Sequence, residues 1–194
     1  MNGHIPRLLR KCALGLPAMV GIHAVLERLK RPAPGKGNSV GLRSYRQRDA
    51  FSCGFCAALA VLHTLNPPET PLHRLASAHD LWLSLDPDED AGVSETRLVR
   101  CLRERGVVVA KRTNLTFSKI RSEIDRGRPV ITTVRTGDPG EEHWLVIHAY
   151  ALGPRRVYLS NTDIVSGFKP VQLWSDFTRS YWAERGHGLV CRSR

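Results

Sequence analysis

From Gly54 to Leu65 nearly every position is apolar: Phe55, Ala57, Ala58, Leu59, Ala60, Val61 and Leu62 leave no continuous polar face, and Asn66-Pro67-Pro68 closes the run. A segment apolar on all sides predicts a helix buried all round, with Cys53 at its tip. A second helix is expected from Pro71 through Leu72, Leu75, Ala76 and His79, since proline suits the first helical position. A third follows Ser94, an N-cap candidate, through Leu98, Val99 and Leu102 to Gly106. Beyond Gly106 the period changes: Val107 to Ala110 and Val130 to Val134 read as strands, separated by a short helix from Phe117 to Arg126. Trp144 to Tyr150 and Arg156 to Asn161 read as an antiparallel pair joined by Leu152-Gly153-Pro154-Arg155, and Leu189-Val190-Cys191 as an edge strand. Helices first and a mainly antiparallel sheet second predict an α+β fold, with the buried helix packed on the sheet.

The first residues do not fit this pattern. Arg31 to Asn38 combine proline, glycine and charge and predict an exposed linker, so residues 1–37 form a basic extension and residues 38–194 one domain. Of the net charge of +11, residues 1–37 carry +6, from seven basic side chains against Glu27 alone. Within the extension, Cys12 to Leu26 is mostly apolar but is interrupted by Pro17, Gly21 and His23, with no A-x-A-like site after it. At fifteen positions it is shorter than the roughly 20 residues needed to cross a bilayer. Contact with a membrane surface or a partner is one expectation for this extension, and simple packing on the domain or loose order is the other. No basic stripe interleaved with aromatics and no zinc-finger spacing is present, so no nucleic-acid partner is expected. Five cysteines in a chain long enough to build its own core point to a reducing, cytoplasmic setting.

Candidate chemistry centres on Cys53. Gln47 lies six residues before it, and His143-Trp144 opens a strand pattern ninety residues after it. Acyl transfer needs a nucleophile, a base, an orienter for the base and donors for the developing oxyanion. Cys53 supplies the nucleophile, its thiol expected to be acidified by the helix N-terminus. His143 supplies the base and then the acid. Asn161 would accept the other ring N–H of His143, with Asp163 its rival, and the Gln47 amide would donate to the oxyanion beside the Cys53 backbone N–H. His148, five residues after His143, falls on the opposite strand face and reads as structural. No cofactor is expected. Cys53, Cys56, His143 and His148 do not read as metal ligands, since the histidines diverge and no second C-x-x-C follows. Asp86, Asp88 and Asp90 have Ala91 and Arg97 where a calcium loop needs Gly and Glu, and read as a solvated acidic loop near the cleft.

Two other uses of the thiol stay open. Cys53-Gly54-Phe55-Cys56 is a C-x-x-C, as in thioredoxin-like thiol-disulfide oxidoreductases, although the polar segment from Gly41 to Ser52 lacks the hydrophobic strand such a domain places before the motif. An acyltransferase or deamidase would use the same residues as a hydrolase and differ in what accepts the acyl group.

In order along the chain, Gln47-Arg48-Asp49-Ala50-Phe51-Ser52-Cys53-Gly54, Gly92-Val93-Ser94, Gly127-Arg128-Pro129-Val130-Ile131, His143-Trp144-Leu145-Val146-Ile147 and Val157-Tyr158-Leu159-Ser160-Asn161 resemble the motifs of papain-like cysteine peptidases. The resemblance is nearest to the peptidase domains that remove double-glycine leaders from bacteriocin precursors, and it spans roughly residues 40 to 191. It implies a papain-like fold, a peptide or protein substrate, and a triad of Cys53, His143 and Asn161 or Asp163 with Gln47 at the oxyanion. The sequence departs from that group at Asn161-Thr162, where those peptidases usually carry Asp followed by Pro.

Overall fold

The computed structural model describes residues 37–45, 47, 49, 51–89, 91–135, 142–160, 169–182 and 186–194, apart from the side chains of Ser180 and Tyr181. Strand β1 (Gly37–Ser39) comes first, and helix α1 (Cys53–Leu65) begins fourteen positions after its end. Then come α2 (Pro71–Leu85), α3 (Glu95–Glu104), β2 (Val107–Arg112), α4 (Phe117–Asp125), β3 (Val130–Arg135), β4 (Glu142–Leu152), β5 (Arg155–Ser160), β6 (Val171–Leu173), the short α5 (Trp174–Asp176) with a π-helical turn over Phe177–Tyr181, and β7 (Gly188–Ser193). The architecture is α+β, helices preceding an antiparallel sheet, as the change of period predicts.

Local chemistry sets the helix starts. Thr70, Ser94 and Thr116 each turn a side-chain oxygen to accept the N–H three residues on, capping α2, α3 and α4. Helix α1 is buried from Cys53 to His63 on every face, and Phe55, Ala58, Leu59 and Leu62 lie in the core.

Every strand pair among the described residues is antiparallel, in the order β2-β7-β3-β4-β5-β6, with β1 pairing β4 beyond the end of β3. The expectation that residues 189–191 form an edge strand is corrected: β7 lies inside the sheet, paired to β2 on one side and β3 on the other. Gly37 and Asn38, expected in the linker, are paired with Ala151 and Tyr150 and belong to the sheet. Side chains alternate between two cores. Ile131, Trp144, Val146, Leu189 and Cys191 face the layer of α1, whereas Val130, Leu145, Ile147 and Val190 join Phe117, Ile120, Phe177 and Trp182 on the other side. Two-sided burial explains why β3 and β4 read as continuous apolar runs rather than as alternation.

Candidate functional site

Cys53 is the first residue of α1 and is 5% exposed. A loop wraps this helix tip, and Asp49 organises it: its Oδ1 accepts the backbone N–H of Phe51 (3.1 Å) and of Ser52 (2.7 Å). Gln47 is buried in the same loop, with its Nε2 donating to the Asp49 carbonyl at 2.5 Å. Its Oε1 is buried without a hydrogen-bond partner among the described residues.

The opposite wall comes from the turn that follows the acidic loop and from β4. Gly92 adopts φ 66°, close to the Phe51 carbonyl, and Val93 packs on Gly54. A Cβ at Gly54 would lie 2.7 Å from the Val93 Cβ and 3.2 Å from the Trp144 Cδ1, so the residue after the thiol has no room for a side chain. The Trp144 indole Nε1 donates to the Val93 carbonyl at 2.8 Å and ties this wall to β4. Gly92-Val93-Ser94 thus lines the helix tip.

Three backbone N–H groups, those of Trp144, Gly54 and Cys53 itself, favour the Cys53 thiolate. The hydrogen bond from Trp144 sets the start of β4 against the tip of α1, and His143, 6% exposed, is the residue immediately before it. The thiol is nevertheless not acidified on balance. Burial pushes it up, the backbone donors oppose that, and the Asp49 carboxylate adds a smaller upward push. This corrects the expectation drawn from the helix N-terminus alone, because that expectation ignored how deeply the tip is buried.

Asn161 and Asp163 lie outside the described residues; β5 ends at Ser160, one position before Asn161. His148 is fully buried at an irregularity between Ile147 and Ala149, with neither ring nitrogen partnered among the described residues, and burial lowers it to about 4. Cys56 is a buried thiol one turn along α1. Among the described residues no strand runs directly into Cys53 and every strand pair is antiparallel, whereas a thioredoxin-like motif follows a central strand with a parallel neighbour. Sequence reasoning missed Asp49, whose signal was an acidic residue in a short turn before a helix. It also missed the Trp144 N–H, which no side-chain pattern could reveal.

A second polar cluster lies at the far end of α1. Tyr45 Oη donates to His63 Nδ1 (2.5 Å), and His63 Nε2 lies 2.7 Å from Ser77 Oγ, which itself donates to the Arg74 carbonyl. Burial first, then the charges of Arg74 and Arg43, lowers His63 to about 4, so this imidazole is neutral and fastens the segment before Gln47 to α1 and α2. A groove of about 590 Å³ opens beside it, lined by His63, Asn66, Ser77, Asp80 and Arg105 among others, remote from Cys53 along the helix.

No helix among the described residues is long and apolar enough to cross a membrane. No protein-family model matches the sequence, and no curated protein matches it. Among solved structures the chain is similar to a double glycine motif protease from an AMS/PCAT transporter, in complex with the leader peptide, at a TM-score of 0.56 and 13% identity, over 86% of this chain and 100% of that one. At that identity the likeness is one of fold, and the fold of this chain is that of a papain-like cysteine peptidase.

Proposed function

We propose that this chain is a cysteine peptidase that cleaves a peptide or protein substrate through Cys53 and His143. The observation that carries the reading is the Trp144 N–H on the Cys53 sulfur, which sets a thiol at a helix tip against the first residues of the strand bearing a histidine. In this reading Cys53 Sγ attacks the scissile carbonyl carbon as His143 takes its proton. The tetrahedral oxyanion is met by the Cys53 N–H and by the second N–H of the Gln47 amide, the first being held by Asp49. His143 returns the proton to the leaving amine, and water then releases the acyl group. Asn161 or Asp163, both just beyond β5, is the proposed orienter of His143. The structural neighbour's bound leader peptide supports a peptide substrate and makes leader removal the first activity to test.

The test is the rate of iodoacetamide alkylation at Cys53 against pH, by mass spectrometry, in wild type, His143→Ala and Cys56→Ser. Because burial raises this thiol, reaction at neutral pH depends on the imidazole. Wild type and Cys56→Ser are expected to react at lower pH than His143→Ala, which reacts only as pH rises toward the ordinary thiol pKa of about 8.5 or beyond. Identical profiles in wild type and His143→Ala would sink the reading. Dependence on Cys56 instead would point to redox chemistry.

A further inference from the structure

Helix α2 buries Ala78, Leu81 and Leu85 on one arc. On the opposite arc Leu72, Leu75 and Leu83 are 73%, 59% and 62% exposed. At about 100° per residue, positions 72, 75, 76, 79 and 83 fall within an arc of about 100°. Three leucines, Ala76 and His79 therefore form one exposed stripe along the helix. Single exposed leucines are ordinary, but a continuous stripe marks a surface that meets something. Its ends are acidic. Exposed Glu69 precedes the helix, and exposed Asp86, Asp88 and Glu89 follow it.

The sequence before Gly37 has the complementary pattern. The apolar run Cys12 to Leu26 spans fifteen positions, as α2 does, with Arg7, Arg10 and Lys11 before it and Arg28, Lys30 and Arg31 after it. Apolar centre matches apolar centre, and basic flanks meet acidic ends in either direction. The ten residues between Leu26 and Gly37 can reach about 35 Å, comparable with the diameter of a domain of this size. The tether also gives the segment a high effective concentration at the stripe.

We propose that the leucine stripe of α2 is a docking surface for residues 7–31 of the same chain, with the apolar run on Leu72, Leu75 and Leu83 and the basic flanks on Glu69 and the Asp86–Glu89 loop. The proposal does not depend on the catalytic reading. It is tested on the full chain with the photo-crosslinker benzoylphenylalanine at position 75, where the exposed side chain tolerates replacement, using a mixture of isotopically light and heavy protein. The expected product joins position 75 to residues 7–31 within one chain, and the Glu69→Lys/Glu89→Lys double variant lowers its yield at least about threefold. Crosslinks between light and heavy chains would assign the stripe to a second copy. Capture only by added anionic vesicles would assign it to a membrane, and a yield no higher than from the exposed control Arg100 would leave it unoccupied. Each of these three results overturns the proposal.

Discussion

At the scale of single residues, Cys53 stands between opposing influences. Burial and the Asp49 carboxylate disfavour the thiolate, and three backbone N–H groups favour it. Asp49 thus both organises the helix tip and disfavours ionisation of the proposed nucleophile. Asp49→Asn keeps an oxygen to accept from Phe51 and Ser52 while removing the charge, so the Cys53 pKa is expected to fall and alkylation at pH 7 to quicken with the melting temperature little changed. A slower reaction in that variant would show that the carboxylate matters only for loop structure. Gln47→Ala removes a proposed oxyanion donor, and kcat is expected to drop on the order of 100-fold with KM nearly unchanged; a KM effect alone would make Gln47 a substrate-binding residue instead. Cys53, His143 and Gln47 can be proposed from the sequence because each would carry its chemistry in its side chain. The Trp144 N–H and the Val93 carbonyl cannot, since every residue has a main chain and only the fold decides which donors and acceptors converge.

Among the elements, the contact between α1, the Gly92-Val93-Ser94 turn and β4 governs the site, and Gly54 is where the three meet. Gly54→Ala forces a methyl against the Val93 Cβ and the Trp144 ring, at a cost of about 1–3 kcal/mol. It also pushes the start of β4 away from the thiol. Chemical denaturation should register the loss of stability, and Cys53-dependent turnover should fall by more than stability alone explains. Val93→Ala in the same chain opens space where the clash is worst, so the double variant should recover part of both losses. Simple additivity would place the strain elsewhere. The helices were legible in the sequence because capping and apolar periodicity are local: Thr70-Pro71, Ser94 and Thr116 announce their own helices. Helix α2 runs on past His79 to Leu85, because Leu81 and Leu85 continue its inner arc against the other helices.

Over its described residues the molecule is an antiparallel sheet between two apolar layers, and its strand order was the least legible feature. Residues 189–191 look like any short apolar strand, and only pairing with β2 and β3, distant in sequence, places them inside the sheet. Strand β1 was hidden for the same reason, its Gly37-Asn38-Ser39 having the composition of a linker. Global stability nonetheless carries a signature that follows from two histidines in this architecture. His63 and His148 are both lowered to about 4 in the folded chain, and burial is the first cause for each. In the unfolded chain both titrate near the ordinary value of about 6.5. Between those values the unfolded state binds more protons, so stability is greatest above about pH 6.5 and declines as pH falls toward about 4, by up to about 1.4 kcal/mol per pH unit for each histidine. The neutral His63 is hydrogen-bonded to Tyr45 and Ser77, whereas His148 has both nitrogens buried without partners among the described residues. Replacing His148 by Leu therefore removes a group that costs stability even when neutral. Urea denaturation of His148→Leu should give equal or greater stability at pH 7.5 and roughly half the wild-type decline between pH 6.5 and 5. Parallel wild-type and variant curves across that interval would mean that His148 stays neutral in the unfolded chain as well, or takes up a proton without leaving the core.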